Sequence, residues 1–473
     1  MRTTVALIAA LLLPAPAAAA PPCVDVPRWD DRCEEWVGVY DSGLGGATDD
    51  DRAADAAVDP RAGRAYTIAE VHVAADRSTD VVVTALDTAT GRARWTRTLA
   101  GPRGTGDRAG AVALAPDGGT VYAVATTGRT LYHDSGQPWS FEADDGAVST
   151  YALDARTGRV RWVARHRGPA GATAGGVAAD GRRVYVTGIS DETALLLAYD
   201  ARTGRAAWRR ALTPASVLPG DPAPTDTGVV WTVATRTAAH AVAAYAGVDA
   251  RTGRETWRRT FEKHRPVAVA AARDGGAYVA ARGWDPVGTH SAGAGVVYIA
   301  PGSTVARLDP RGRVAWQQAR ADTVTALLTD PREDRLWVTA ESGRAPVRAV
   351  VDELDPATSE RRWSAEAFDP RADLLGGRLA VVPGGVALVT GASNRGTSYC
   401  LTTTIDHEGL ARWTARWSSA YADTDGCRPA GAGVDSAGRL VVVATATYVP
   451  AQRRDADAAN FADAVALGYP AGA

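Results

Sequence analysis

Lysine is almost missing from this chain. Among 473 residues Lys263 is the only one, and arginine carries nearly all the positive charge. The 52 basic and 54 acidic side chains leave a formal net charge of −2, with no basic run longer than a few residues. A nucleic-acid groove or a helix lying on an acidic membrane needs such a run, so neither partner is expected. Cysteine is scarce too, limited to Cys23, Cys33, Cys400 and Cys427. There is no C-x-x-C pair and no histidine at ligand spacing from a cysteine, which argues against a structural zinc site. The histidines form no H-E-x-x-H or H-x-H pair either. No P-loop or dinucleotide fingerprint occurs, and the glycines around Ser393 lack nucleophile-elbow spacing. The one sustained apolar run, residues 5–13, is about half the ~20 residues that span a bilayer.

That run carries an address instead. Arg2 precedes it and small residues 15–20 follow it, the pattern of a secretory signal peptide. Removal of residues 1–19 is expected, with 20–473 as one secreted domain. Ala20-Pro21-Pro22 before Cys23 makes a poor lipid-attachment box, so no acyl anchor is expected. An even cysteine count in an exported chain points to disulfides. Of three possible pairings, Cys23–Cys33 and Cys400–Cys427 each close a short loop and are favoured. A bridge between the N- and C-terminal regions stays open.

The whole chain is 46% hydrophobic and 22% charged, too apolar for disorder, and its 49 glycines and 26 prolines suit a protein made of turns. A phrase recurs: Asp87-Thr-Ala-Thr-Gly91-Arg-Ala-Arg-Trp95, then Asp154 to Trp162, Asp200 to Trp208 and Asp249 to Trp257. Degraded copies run from Asp309 to Trp316, Asp355 to Trp363 and Asp406 to Trp413. The period is roughly fifty residues. Asp and Thr bond back to local backbone, Gly takes a positive φ, and the chain reverses into a strand carrying Trp. Each phrase is therefore a hairpin. A second hairpin lies upstream of each, giving four strands per period, the signature of an all-β propeller. Trp95, Trp162, Trp208, Trp257, Trp316, Trp363 and Trp413 are expected to wedge between neighbouring blades. An incomplete last repeat begins near Ala432, and the N-terminal text around Trp36 reads like its missing strand. Eight blades closed by that strand are expected, with seven as the alternative.

The phrase resembles the tryptophan-docking repeat of the quinoprotein (pyrroloquinoline-quinone type) propellers, and the likeness runs over nearly the whole mature chain. The enzymes of that family carry adjacent cysteines over the quinone, a Glu/Asn/Asp calcium set and an Asp base. No two cysteines are adjacent here and no matching ligand motif exists. The resemblance therefore implies a PQQ-like propeller without the dehydrogenase site: a monomeric, non-catalytic binding or scaffold module with no catalytic residues. The alternative is an extracellular oxidoreductase that uses a quinone or metal in the central channel.

Two sets of residues are candidates for contact. Asp51, Asp107 and Asp322 each precede by nine residues a proline at the end of an innermost strand (Pro60, Pro116 and Pro331). Carboxylates recurring around one channel mouth would suit Ca2+. Two repeats have long insertions between their second and third strands. One carries Tyr132, His133, Trp139 and Phe141, and the other Trp284, His290 and Tyr298. Long loops bearing aromatics suit an extracellular protein or glycan partner.

Overall fold

The structure is a computed structural model. It describes residues 34–40, 51–72, 78–99, 101, 105–129, 131–133, 140–142, 146–213, 219–236, 241–283, 302–330, 332, 334–343, 346–370, 372–394, 397–417, 424–448 and 461–470. The signal segment, Cys23, Cys33, Trp139, Trp284, His290 and Tyr298 lie outside them.

Strands account for the architecture. Among the described residues they group into eight four-stranded antiparallel units. Blades 1 to 7 span 52–99, 106–166, 173–212, 223–262, 264–320, 323–367 and 373–417. Blades 1 and 2 touch through one parallel bridge, Thr79 with Gly106. Blade 8 takes three strands from 424–469 and its fourth from Trp36–Tyr40, which pairs antiparallel with Phe461–Tyr469. The ring thus closes with strands from both ends of the chain in one sheet, as the sequence leads one to expect. Further bonds tighten it: Thr88 Oγ1 donates to Asp435 Oδ2 at 2.7 Å, and Thr445 Oγ1 to Ala53 O at 3.2 Å.

The hydrophobic core is not one mass but eight layers, each between adjacent blades. This follows from the strand text. The second and third strands of a blade are apolar on both faces, for example Leu195, Leu196 and Leu197, so each sheet must be covered on both sides. The disulfide Cys400–Cys427 crosses one of these layers. It closes a short stretch of sequence, yet it ties the third strand of blade 7 (Thr397–Asp406) to the first of blade 8 (Thr424–Val434).

The innermost strand of each blade faces the ring axis. In seven blades it is long and contains a β-bulge, for instance between Ala53 and Asp55 in Arg52–Asp59 and between Leu375 and Arg378 in Asp373–Val382. A bulge bends its strand and re-aims the next side chain. Blade 4 has only Ala223–Thr225, preceded by Pro219–Asp221 along the axis.

Candidate functional site

The repeat phrase does mechanical work. In Asp154 to Trp162, Asp154 Oδ1 accepts from Thr157 N at 2.9 Å and Thr157 Oγ1 at 2.8 Å, while Arg161 Nη2 donates to Oδ2 at 2.8 Å. Arg161 and Thr157 thereby hold the Asp154 pKa well below the usual carboxylate range. Gly158 adopts φ +68°, and the Trp95 indole of the preceding blade lies against it: a Cβ there would sit 2.6 Å from the ring. Trp95 Nε1 donates to Ala155 O at 3.1 Å, and Tyr66 Oη reaches the same carbonyl at 3.1 Å. Trp162 on Ala201, Trp208 on Ala250 and Trp316 on Pro356 repeat the arrangement. The indoles are half-buried rather than fully buried, except Trp413, because one edge of each stays at the rim. Trp36 is an eighth docking tryptophan. It rides on Gly91 and donates to Thr88 O at 2.9 Å. Its likeness to the Trp413 strand is the sequence signal for that role.

The three aspartates read as a channel-mouth set occupy strap positions. Asp51 Oδ1 accepts from His72 N at 3.0 Å. Asp107 accepts from Gly101 N and from Gly128 N, the latter at 2.8 Å, and burial pushes its carboxyl up to about 6. Asp322 receives both an Nε–H and an Nη–H of Arg320, which also pairs with Asp352. These carboxylates tie the start of an innermost strand to its neighbours. No group of three or more His, Cys, Asp or Glu gathers to hold a metal among the described residues. Of the loop aromatics, Tyr132 and His133 lie on Leu131–His133 and Phe141 on Ser140–Glu142, two strands that form a hairpin with Tyr132 opposite Phe141.

The channel holds residues that the sequence reading missed. A cavity of about 590 Å³ runs along the axis, walled by innermost segments of all eight blades. Most of the wall is Ala, Gly, Val, Leu, Pro and Thr. The ionisable side chains are Asp55 (blade 1), Arg108 (blade 2), Asp221 (blade 4) and Arg378 (blade 7). Asp55 and Arg378 each take the first paired position after a bulge, opposite Ile68 and Val389. Asp55 Oδ1 accepts from Ala56 N at 2.8 Å and Oδ2 from Val112 N of blade 2 at 2.9 Å. Asp221 Oδ1 accepts from Val177 N of blade 3 at 3.1 Å, and Arg378 Nε donates to Ala430 O of blade 8 at 3.0 Å. Burial, and then the Asp221 charge, push Asp55 up to about 7, against two backbone N–H groups and the opposing pull of Arg378. Asp221 is raised as well, chiefly by burial. An ionisable residue inside an innermost strand of otherwise small residues was the available signal.

Comparison with known proteins accords with this geometry. No curated protein matches. Among solved structures, the Dos1 propeller is 10% identical over 90% of this chain and 95% of its own, with a TM-score of 0.55, a likeness of fold. BamB from Moraxella catarrhalis is 15% identical, with 92% of this chain and 99% of that one covered and a TM-score of 0.48. The quinohemoprotein alcohol dehydrogenase from Comamonas testosteroni is 12% identical, covering 92% and 77%, also with a TM-score of 0.48. A family model described as outer membrane protein assembly factor BamB matches residues 48–143 and 144–326, more than half of the chain. With its docking tryptophans and ring of four-stranded blades, the chain belongs to that family of PQQ-like propeller repeats.

Proposed function

We propose that this chain is an exported, monomeric propeller that binds or scaffolds an extracellular protein or a glycan and catalyses no reaction itself. The observation that carries this reading is the unequal length of the connections between second and third strands. In blades 3 and 7 two residues separate those strands, whereas blade 2 has 130–146 and blade 5 has 284–302 between them. Loops of that length are unusual unless they do something, and these carry Tyr132, His133, Trp139, Phe141, Trp284, His290 and Tyr298. The docking residues, by contrast, are engaged within the ring. Membership in a family described as an assembly factor supports a scaffold. The disulfide and the N-terminal address support export from the cytosol.

The quinone and calcium of the related dehydrogenases fit this channel poorly. Calcium takes six to eight oxygen ligands. Among the described residues the wall offers two carboxylates, two threonines and two guanidinium groups, which repel a cation. The disulfide joins blades 7 and 8 rather than adjacent cysteines.

The test compares the full chain with a variant whose residues 130–145 are replaced by a short Gly-Ser linker, on glycan arrays and in cross-linking to culture-supernatant proteins. A contact made by the wild type and lost in the variant is expected. Dye reduction on adding quinone and Ca2+ would favour the oxidoreductase instead.

A further inference from the structure

We propose that the central channel binds a small zwitterion, a free amino acid or dipeptide, with its carboxylate on Arg378 and its ammonium on Asp221 beside Asp55. This goes beyond the loop-face reading and does not rest on it.

Arg378 is the first reason. It is exposed to the channel and donates only Nε–H, to Ala430 O. Its four remaining N–H groups have no partner, and it forms no ion pair, among the described residues. A guanidinium stays charged, and its fork matches a carboxylate with two parallel bonds. Asp221 is the second. It lines the cavity; one oxygen accepts from Val177 N, and the other has no partner among the described residues. Asp55, held by two backbone N–H groups, adds acceptor oxygens that cannot swing away.

The wall is shaped around these groups. A Cβ on Gly176 would lie 2.1 Å from Asp221 Oδ1, so only glycine leaves room for that carboxylate. The three residues arrive from blades 1, 4 and 7, and each bonds a backbone group of an adjacent blade, which fixes them on a rigid frame. Charge balance selects the ligand class. With Arg108 included, the wall carries two acidic and two basic side chains. A simple anion would satisfy Arg378 but face both carboxylates, and a simple cation would meet the reverse. A molecule bearing both charges answers both. The volume of about 590 Å³ lies within the range of small-molecule sites and leaves space for a side chain.

The experiment uses the full mature chain in calorimetry and thermal melts with L-alanine, L-glutamate and glycylglycine at millimolar concentration. N-acetyl-L-alanine lacks the ammonium and L-alaninamide lacks the carboxylate. At least one zwitterion is expected to bind and raise Tm, with each one-charge control weaker by about tenfold or more. Arg378→Gln and Asp221→Asn should abolish the shift while the circular dichroism spectrum is kept. If either variant unfolds, the controls on the wild-type protein still decide. No binding by any of the three, or equal binding by the controls, overturns the proposal. The 130–145 linker variant should bind the zwitterion unchanged, so failure of the loop reading and failure of the channel site are separable.

Discussion

Five docking tryptophans and three others differ in one respect. Trp36, Trp95, Trp162, Trp208 and Trp316 each meet a five-residue turn in the next blade and donate an indole hydrogen bond to the residue after its aspartate. Trp257 and Trp363 meet the shortened turns Asp309 to Gly312 and Asp406 to Gly409, and Trp413 has no such turn to meet, because blade 8 takes its last strand from the N-terminus. None of these three makes the bond among the described residues, and Nε1 of Trp363 and of Trp413 is buried without a partner. Yet Trp257 still lies on Gly312 and Trp363 on Gly409. Stacking of indole on glycine is therefore shared by six of the eight across both turn lengths; Trp316 meets a turn that ends in Ser359 instead, and Trp413 meets none. The hydrogen bond is an addition that needs the extra residue. In the full turn the Asp carboxylate binds the Thr N–H, and in four of the five the Thr O–H as well, which sets the following carbonyl toward the neighbouring indole. In the short turn Asp309 Oδ1 binds Arg311 N and Arg313 N instead.

The sharpest way to break this comparison is to remove a ring from each class. Trp162→Ala should destabilise by about 3–5 kcal/mol and Trp363→Ala by about 1 kcal/mol less, measured by denaturant unfolding. Equal losses would show that the indole bond adds nothing. Next comes the glycine beneath the ring. Gly204 has φ +70° and a Cβ would sit 2.6 Å from Trp162, whereas Gly384 has φ +78° with nothing within 4 Å. Gly204→Ala should cost about 2–4 kcal/mol and Gly384→Ala about 1, the difference being the clash. A smaller effect isolates the hydrogen bond. Trp162→Phe should lose about 1 kcal/mol more than Trp363→Phe, where a buried orphan N–H disappears; matching thermal shifts would contradict this.

The smallest effect separates turn from channel by pH. Asp154 is held below its ordinary value by Arg161 and Thr157, so its stabilisation is complete above the unfolded-state pKa of ~3.9 and fades as pH falls through the lower folded value. Asp55 is the reverse. Its folded pKa is raised to about 7, so the folded state binds the proton more tightly and the contribution of Asp55 to stability falls as pH rises from ~4 to 7. Asp55→Asn should flatten that slope, and identical stability–pH curves for variant and wild type would sink the assignment.

Much of the fold was legible because the docking phrase is local. Asp, Thr, Gly and Trp sit within nine residues, and their turn chemistry works wherever the phrase occurs. Trp36 was recognisable only by analogy with Trp413, since its blade is completed from the far end of the chain. The site was much less legible. Asp51, Asp107 and Asp322 share an offset from proline, and that regularity belongs to straps at strand starts. Asp55, Asp221 and Arg378 share no motif. They are separated by more than 150 residues at each step and meet because their blades face a common axis.

The sequence alone determined the repeat, the turn geometry and the four-strand unit, because each depends on contacts within a few residues. Through the likeness of the Trp36 text to the Trp413 strand it also pointed to a sheet shared by the first and last segments. The tertiary structure decided which carboxylates engage straps and which face the channel. It also placed the Cys400–Cys427 bridge between blades and let Trp36 complete the docking ring. The physical reason is that closure of the ring sets the distances across the axis, and Coulomb interactions there act between residues that no local pattern relates.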